Sequence, residues 1–259
     1  MFEKLYNVKQ NVCVFVLLVI SIFFFSNYLN AQIKEVEVSE FDGVVISPHI
    51  EVVFRAGEKE AVSIESIVVP IEKLNVHVEE RKLKMYLEGA KISSGKTKVK
   101  IKNKTTKKSK YKGTIVKAIV TYKKLNFLDL RGEERMLFEG DFIAPDLKLN
   151  VYGKSHVTMN KVAIHDLKVS MYGESYLEIL EGKIENQKFT AYGESRANTL
   201  NVENKETKIT AYGDGVFQFN VEEALKISSY GSATINYSGS PDVSKGLIIG
   251  ETRITNVNF

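Results

Sequence analysis

Along the second half of the chain, apolar and polar residues alternate with a period of two. Leu167, Val169 and Met171 alternate with Lys168, Ser170 and Tyr172, and Leu147, Leu149 and Val151, then Leu225 and Ile227, repeat the same inward set. Four residues after a glycine a second alternation begins: Val157 and Met159, Leu177 and Ile179, Phe217 and Phe219, Ile235 and Tyr237. A period of two places every second side chain on one face, the pattern of a strand with one buried side. No stretch shows the 3.6-residue stripe of an amphipathic helix.

These alternations recur at a fixed distance. Gly153, Gly173, Gly193 and Gly213 are 20 residues apart, Gly231 follows 18 later, and each is preceded by a tyrosine: Tyr152, Tyr172, Tyr192, Tyr212 and Tyr230. The segment around Gly132 reads as a degenerate first copy. Two strands around a glycine corner, then a looser third stretch, account for one coil. A single coil cannot bury its apolar face, whereas stacked coils can. The pattern therefore predicts an all-β chain whose residues 125–259 form a parallel β-helix of about 20 residues per coil, with rungs about 4.8 Å apart and right-handed by the general rule for parallel crossovers. Residues 32–124 are also strand-like, with runs such as 50–54 and 83–87 bounded by turn signals at Ser47-Pro48, Ala56-Gly57 and 80–82. They do not share the repeat, and they are placed to cap an otherwise open solenoid edge.

The first 31 residues are set aside from the fold. Lys4 and Lys9 precede an apolar run from Val12 to Phe25, and Leu29-Asn30-Ala31 ends in a small residue. This is the layout of a secretory signal cut after Ala31, and the run is shorter than the roughly 20 residues of a membrane span. The only cysteine, Cys13, lies inside that segment. The exported part then has no thiol, which excludes disulfides, thiol catalysis and cysteine metal sites. The expected locations are the periplasm, the outer surface or the medium.

At this point the residues resemble a known family. Phe41-Asp42-Gly43-Val44 runs into 50–54 and Gly57, a strand ending Lys82-Leu83-Lys84-Met85-Tyr86 follows, and then come the glycine-cornered coils. This is similar to the auto-transporter adhesin head GIN domain family, exported proteins common in Bacteroidota, over about Phe41 to Thr255. The Asn30-Ala31-Gln32 stretch resembles signal ends of that group. The coil corners depart from the family in reading Tyr-Gly where Ser-Gly is more frequent. The resemblance implies a β-helix, an envelope or extracellular site and an adhesin-like role, with no chemistry to carry over.

Three features bear on function. Tyr152, Tyr172, Tyr192, Tyr212 and Tyr230 fall on one outer face, with Lys148, Lys168, Lys188, Lys208 and Lys226 four residues before them. Aromatic rows beside cations suit sugar rings or anionic glycans. The same tyrosines, stacked, would also stabilise the coil as cross-strand pairs do. Second, charge is unevenly spread. Gly89 to Leu128 holds 13 lysines and no acid, and the rest of the exported part has 21 Lys and Arg against 31 Asp and Glu. Lys98, Lys100 and Lys102 alternate with Val99 and Ile101, as in one arm of a hairpin with its tip at 103–110. With Lys104, Lys107, Lys108, Lys110 and Lys112 they suit an anionic polymer or lipid headgroups, or equally protect an edge strand from aggregation. Third, Glu174, Glu194 and Asp214 follow successive corners one coil apart, an oxygen set of the kind Ca²⁺ takes. The Gly-Gly-x-Gly-x-Asp signature of calcium-binding solenoids is missing, so no metal and no cofactor are expected.

Catalysis finds little footing. His49, His77, His156 and His165 are scattered and match no zinc pattern,, and no Gly-x-Ser-x-Gly elbow occurs. The expectation is a non-catalytic envelope or surface protein binding glycans or other surface polymers through a solenoid face. The alternatives are a periplasmic structural or protein-interaction module and, third, a polysaccharide-degrading β-helix enzyme. An export signal and the absence of a nucleic-acid motif disfavour nucleic acid as a partner.

Overall fold

A computed structural model describes residues 34–94, 96–101 and 104–258, with 96–101 and 104–108 given as backbone. The expected signal segment 1–31, Lys102 and Asn103 lie outside the described residues. The chain forms a parallel β-solenoid of about 6 turns with about 20 residues per turn, preceded by irregular strands.

Register follows the repeat residue by residue. The strand Arg135–Gly153 pairs in parallel with His156–Gly173, and that strand with Tyr176–Gly193. Each coil is paired over three short faces, for example at 156–159, 161–164 and 166–173. The third stretch is thus as regular as the other two. It reads as loose because only two inward positions, such as Val162 and Ile164, fit on it, too few for a periodicity to show,. The inward columns Leu149, Val169, Phe189, Ile209, Ile227 and Val157, Leu177, Ala197, Phe217, Ile235 are buried in a single core. At Gln187 and Thr207 the inner column turns polar. Their side chains hydrogen-bond each other at 2.9 Å, and Thr207 donates to Asn204 at 2.5 Å. Asn204 in turn donates to the carbonyls of Ile184, Glu185 and Glu206 at 3.2 Å.

The glycine corners are needed for two reasons. Gly193 has φ +96, a backbone region that side chains rarely adopt,. A Cβ there would also stand 2.8 Å from the carbonyl oxygen of Gly173 on the previous rung. The next serine but one fills the corner from inside. Ser155, Ser175 and Ser195 are fully buried, and Ser155 and Ser195 donate to the carbonyls of Gly132 and Gly173, each at 3.2 Å. One more corner exists than the tyrosines mark: Gly250 stacks on the Gly231 carbonyl, with Ile249 in the tyrosine position.

The parallel stack also begins earlier than residue 125. Gly43–Ile46 pairs in parallel with Phe127–Gly132, and Ile50–Ala56 with Arg135–Gly153, so 43–56 forms a rung cornered by Ser47-Pro48-His49. Beyond it lies a rung made of Lys82–Leu87 and Val116–Tyr122. Its two strands are separated by 28 residues, 88–115, which take the place of a corner. Antiparallel strands then cover that end: Leu74–Glu79 on Lys82–Leu87, Ala61–Ile67 on Val116–Tyr122, and Lys34–Glu37 on Ala61–Ile67. Rung order here departs from chain order, and the corner is proline rather than tyrosine-glycine, so a search for the repeat passes over it.

Candidate functional site

The strand before each glycine corner carries three outward columns. Lys148, Lys168, Lys188, Lys208 and Lys226 are in direct register, as are Asn150, Ser170, Thr190, Thr210 and Ser228, and Tyr152, Tyr172, Tyr192, Tyr212 and Tyr230. A fourth column, two residues before the lysines, holds Asp146, Asp166, Asn186, Glu206, Ala224 and Asp242. The period of two and exact stacking of coils thus turn four sequence positions into four parallel rows.

The tyrosine rings stack face on face. Centroids are 4.8–5.0 Å apart and planes within 4–7° of parallel along the whole ladder. Arg131 lies over the Tyr152 ring at 5.0 Å and closes the upstream end. Because each interior ring face is covered by its neighbour, the ladder offers solvent ring edges and hydroxyls rather than open faces. Tyr172, Tyr192 and Tyr212 are 36–39 % exposed. The arrangement therefore does not provide the flat platform on which a sugar ring stacks; it provides a line of phenolic hydroxyls at rung spacing. Partial burial pushes the Tyr152 hydroxyl above its usual pKa, helped by Asp129.

The five lysines of the row are exposed. Among the described residues, none of them has a carboxylate within ion-pairing distance, while other lysines of the coils do. Lys154 pairs with Glu174 at 2.7 Å, Lys161 with Asp141 at 3.8 Å, and Lys205 with Glu185 at 2.5 Å. Lys183 also reaches Glu185, at 3.8 Å. Asp166, beside the row, is held by His165 at 2.8 Å and Asn186 at 3.1 Å, hydrogen bonds that lower its pKa. A groove of about 360 Å³ runs between the acidic and lysine columns, from Asp166 and Lys168 to Asp242 and Ser244. The same face continues upstream as a second groove of about 300 Å³ under Lys91 and Ile92. There Lys82 sits 5.0 Å and Lys148 5.9 Å from the Phe127 ring.

The three carboxylates after the corners do not form a cage. Glu174 is paired with Lys154, and Asp214 accepts from the Ser232 amide at 3.3 Å. Among the described residues no group of His, Cys, Asp and Glu is arranged to hold a metal ion.

The lysine-rich segment does form a hairpin, though tighter than the sequence suggested. Lys96–Ile101 pairs with Lys104–Ser109 in a two-stranded sheet of its own, so 104–109 is the return strand rather than the tip. Lys98 and Lys100 lie on the first arm and Lys104, Lys107 and Lys108 on the second. The alternation stops at Lys102, and 104–109 lacks apolar residues, which is why the second arm gave no strand signal. The hairpin leaves the solenoid at a corner and pairs with none of its strands, which separates it from the rows above. Lys110 is tied down by the Glu88 carbonyl at 2.8 Å, whereas Lys112 is exposed.

One cluster was not signalled by the sequence. His49, at φ +75, donates from Nδ1 to the Gly113 carbonyl at 2.8 Å and lies 3.8 Å from buried Glu134. Tyr111 packs 5.7 Å from its ring. This anchors the insert to the neighbouring corner, and nothing in the spacing of four scattered histidines announces it.

With the fold and these rows in view, the class is a repeat-built surface solenoid. The family model described as "Putative auto-transporter adhesin, head GIN domain" matches residues 40–241, and the chain belongs to that family. Its members are described as adhesins, not enzymes. A structure of a "putative adhesin" from Bacteroides fragilis superposes with a TM-score of 0.71 at 18% identity, over 87% of this chain and 96% of that one. Another from Parabacteroides merdae gives 0.64 at 16% identity, over 87% and 95%. A structure described as a "putative lipid binding protein", from Parabacteroides distasonis, gives 0.55 at 15% identity, over 89% and 98%. At these identities the likeness is one of fold. No curated protein matches the chain. Among the described residues no helix is long and apolar enough to cross a membrane.

Proposed function

We propose that the chain is exported, its first 31 residues acting as a cleaved signal, and that it serves as a non-catalytic adhesin-like protein of the envelope or cell surface. Its ligand is a glycan or other extended surface polymer held along the columns of lysine, hydroxyl and tyrosine. The observation that carries this reading is the unneutralised lysine row in register with a hydroxyl row and a line of phenolic hydroxyls. An extended chain can meet all three by lying along the axis. Such a site is rigid before binding, so little ordering of the protein offsets the affinity.

A second reading is favoured by the covered ring faces: the ladder only holds the coil, and the partner of this periplasmic module is another protein. The two are separated by replacing Tyr172, Tyr192 and Tyr212 together with phenylalanine, which keeps the stack and removes the hydroxyls. Binding of the purified protein to an array of glycans and envelope polymers is measured at low and high salt. Loss of hits with unchanged melting supports the glycan reading; an array blank for the unmodified protein sinks it and favours the protein partner. The hairpin lysines, Lys98, Lys100, Lys102, Lys104, Lys107, Lys108, Lys110 and Lys112, form a proposed second contact with anionic surfaces, one that weakens steeply with salt.

A further inference from the structure

We infer that the polymer bound on this face is a linear polyuronate, a glycan with one carboxylate on each sugar, lying parallel to the solenoid axis. This rests on the glycan-binding reading above and narrows it to a ligand class.

The first support is charge. Lys148, Lys168, Lys188, Lys208 and Lys226 stand on five consecutive rungs in direct register. No carboxylate among the described residues neutralises them, although Lys154, Lys161, Lys183 and Lys205 on the same coils are paired. Like charges repeated at rung spacing repel one another, and an anion on each rung relieves that repulsion. A row left uncompensated while its neighbours are paired is a row that needs its counter-charge from outside.

The second support is pitch. The stacked rings measure the rung spacing as 4.8–5.0 Å. A 1,4-linked hexuronate advances by close to one rung per sugar, so its carboxylates stay in step with the lysines over the whole row. Phosphodiester polymers have a longer charge repeat and drift out of step after a rung or two.

The third support is shape. The groove of about 360 Å³ includes Lys168, Lys188, Lys208 and Lys226. Asp166, Asn186 and Glu206 form its far wall and present oxygen and amide groups to sugar hydroxyls. Ser170, Thr190 and Thr210 flank the lysines on the other side, each half-buried and outward. A cationic line between two hydrogen-bonding walls matches a polymer with one charge and several hydroxyls per unit. A purely cationic surface would not need the walls.

The test is titration calorimetry of the purified protein with galacturonate dimer, tetramer and hexamer, against an inorganic polyphosphate of matched charge and a neutral dextran oligomer. Affinity for the uronates is expected to climb with length up to about the number of lysines in the row. Lys188→Gln should weaken the hexamer about two- to five-fold at low salt, the range of one exposed ion pair, and reduce the salt slope by about one. Lys188→Arg should retain both. Polyphosphate binding as tightly as the hexamer would overturn the inference, reducing the row to unselective charge attraction. Neutral glycans that bind and are lost in the phenylalanine variants, with uronates inert, would also overturn it while leaving the glycan reading intact. No glycan binding at all would overturn both.

Discussion

Tyr192 sits in the interior of the ladder, with Tyr172 at 5.0 Å on one side and Tyr212 at 4.8 Å on the other. Tyr230 stacks on Tyr212 alone, since the next rung carries Ile249 in register. Each cross-strand aromatic pair is worth roughly 0.2–1 kcal/mol. Tyr192→Ser deletes two pairs and should cost about 0.4–2 kcal/mol, whereas Tyr230→Ser deletes one and should cost about half as much. For a fold of this size, about 2–4 °C of Tm per kcal/mol, the interior change lowers Tm by roughly 1–8 °C. Urea unfolding followed by circular dichroism gives both values, and a double-mutant cycle between Tyr172 and Tyr192 isolates their coupling. A coupling close to zero, or a cost at Tyr230 equal to that at Tyr192, would refute the claim that stacking stabilises the coil. The same pair of variants bears on function. If Tyr192→Phe preserves stability and still weakens ligand, the hydroxyl line acts in binding beyond its structural part.

Four further outcomes follow from the geometry. Gly193→Ala meets both a φ of +96 and the Gly173 carbonyl at 2.8 Å, so it should cost about 2–6 kcal/mol from strain and overpacking together. Gly113→Ala, at φ +61 with open space around it, should cost only about 1 kcal/mol; equal midpoints in urea would refute the role of the close approach. Thr207→Val strands Gln187 and Asn204 in the core and should cost about 1–3 kcal/mol, measured by the same melt. Tyr122 is buried, its hydroxyl lacks a partner among the described residues, and burial pushes its pKa up to about 12. Between about pH 10, where the unfolded side chain ionises, and pH 12 the folded state keeps a proton the unfolded state has lost. Stability should therefore fall across that window and less so in Tyr122→Phe, which at neutral pH should match or exceed the original in thermal melts. Finally, replacing 95–108 by a short Gly-Ser link should leave the urea midpoint unchanged, because the hairpin pairs only with itself, while binding to anionic vesicles, read by sedimentation, declines.

The solenoid was legible because its physics is local and repeated. A period of two fixes which residues face inward, and a period of 20 fixes which of them stack. From Lys148 to Tyr230 these two numbers alone give the register that the structure shows. The candidate rows were legible for the same reason: a residue type recurring at the repeat position must form a column. Three things were decided only by the tertiary structure. The rung at 43–56 enters out of chain order, between 82–122 and 127–153. Such pairing depends on which edges are left free, and no local pattern records it. The meaning of the tyrosines turned on ring orientation. Identical spacing in sequence is compatible with open or covered faces, and the 4–7° stacking decides for covered. The lysine row gained its significance from what is absent beside it. A sequence shows every charge but not which ones neutralise each other, since pairing is fixed by side-chain distances across rungs, not by positions along the chain.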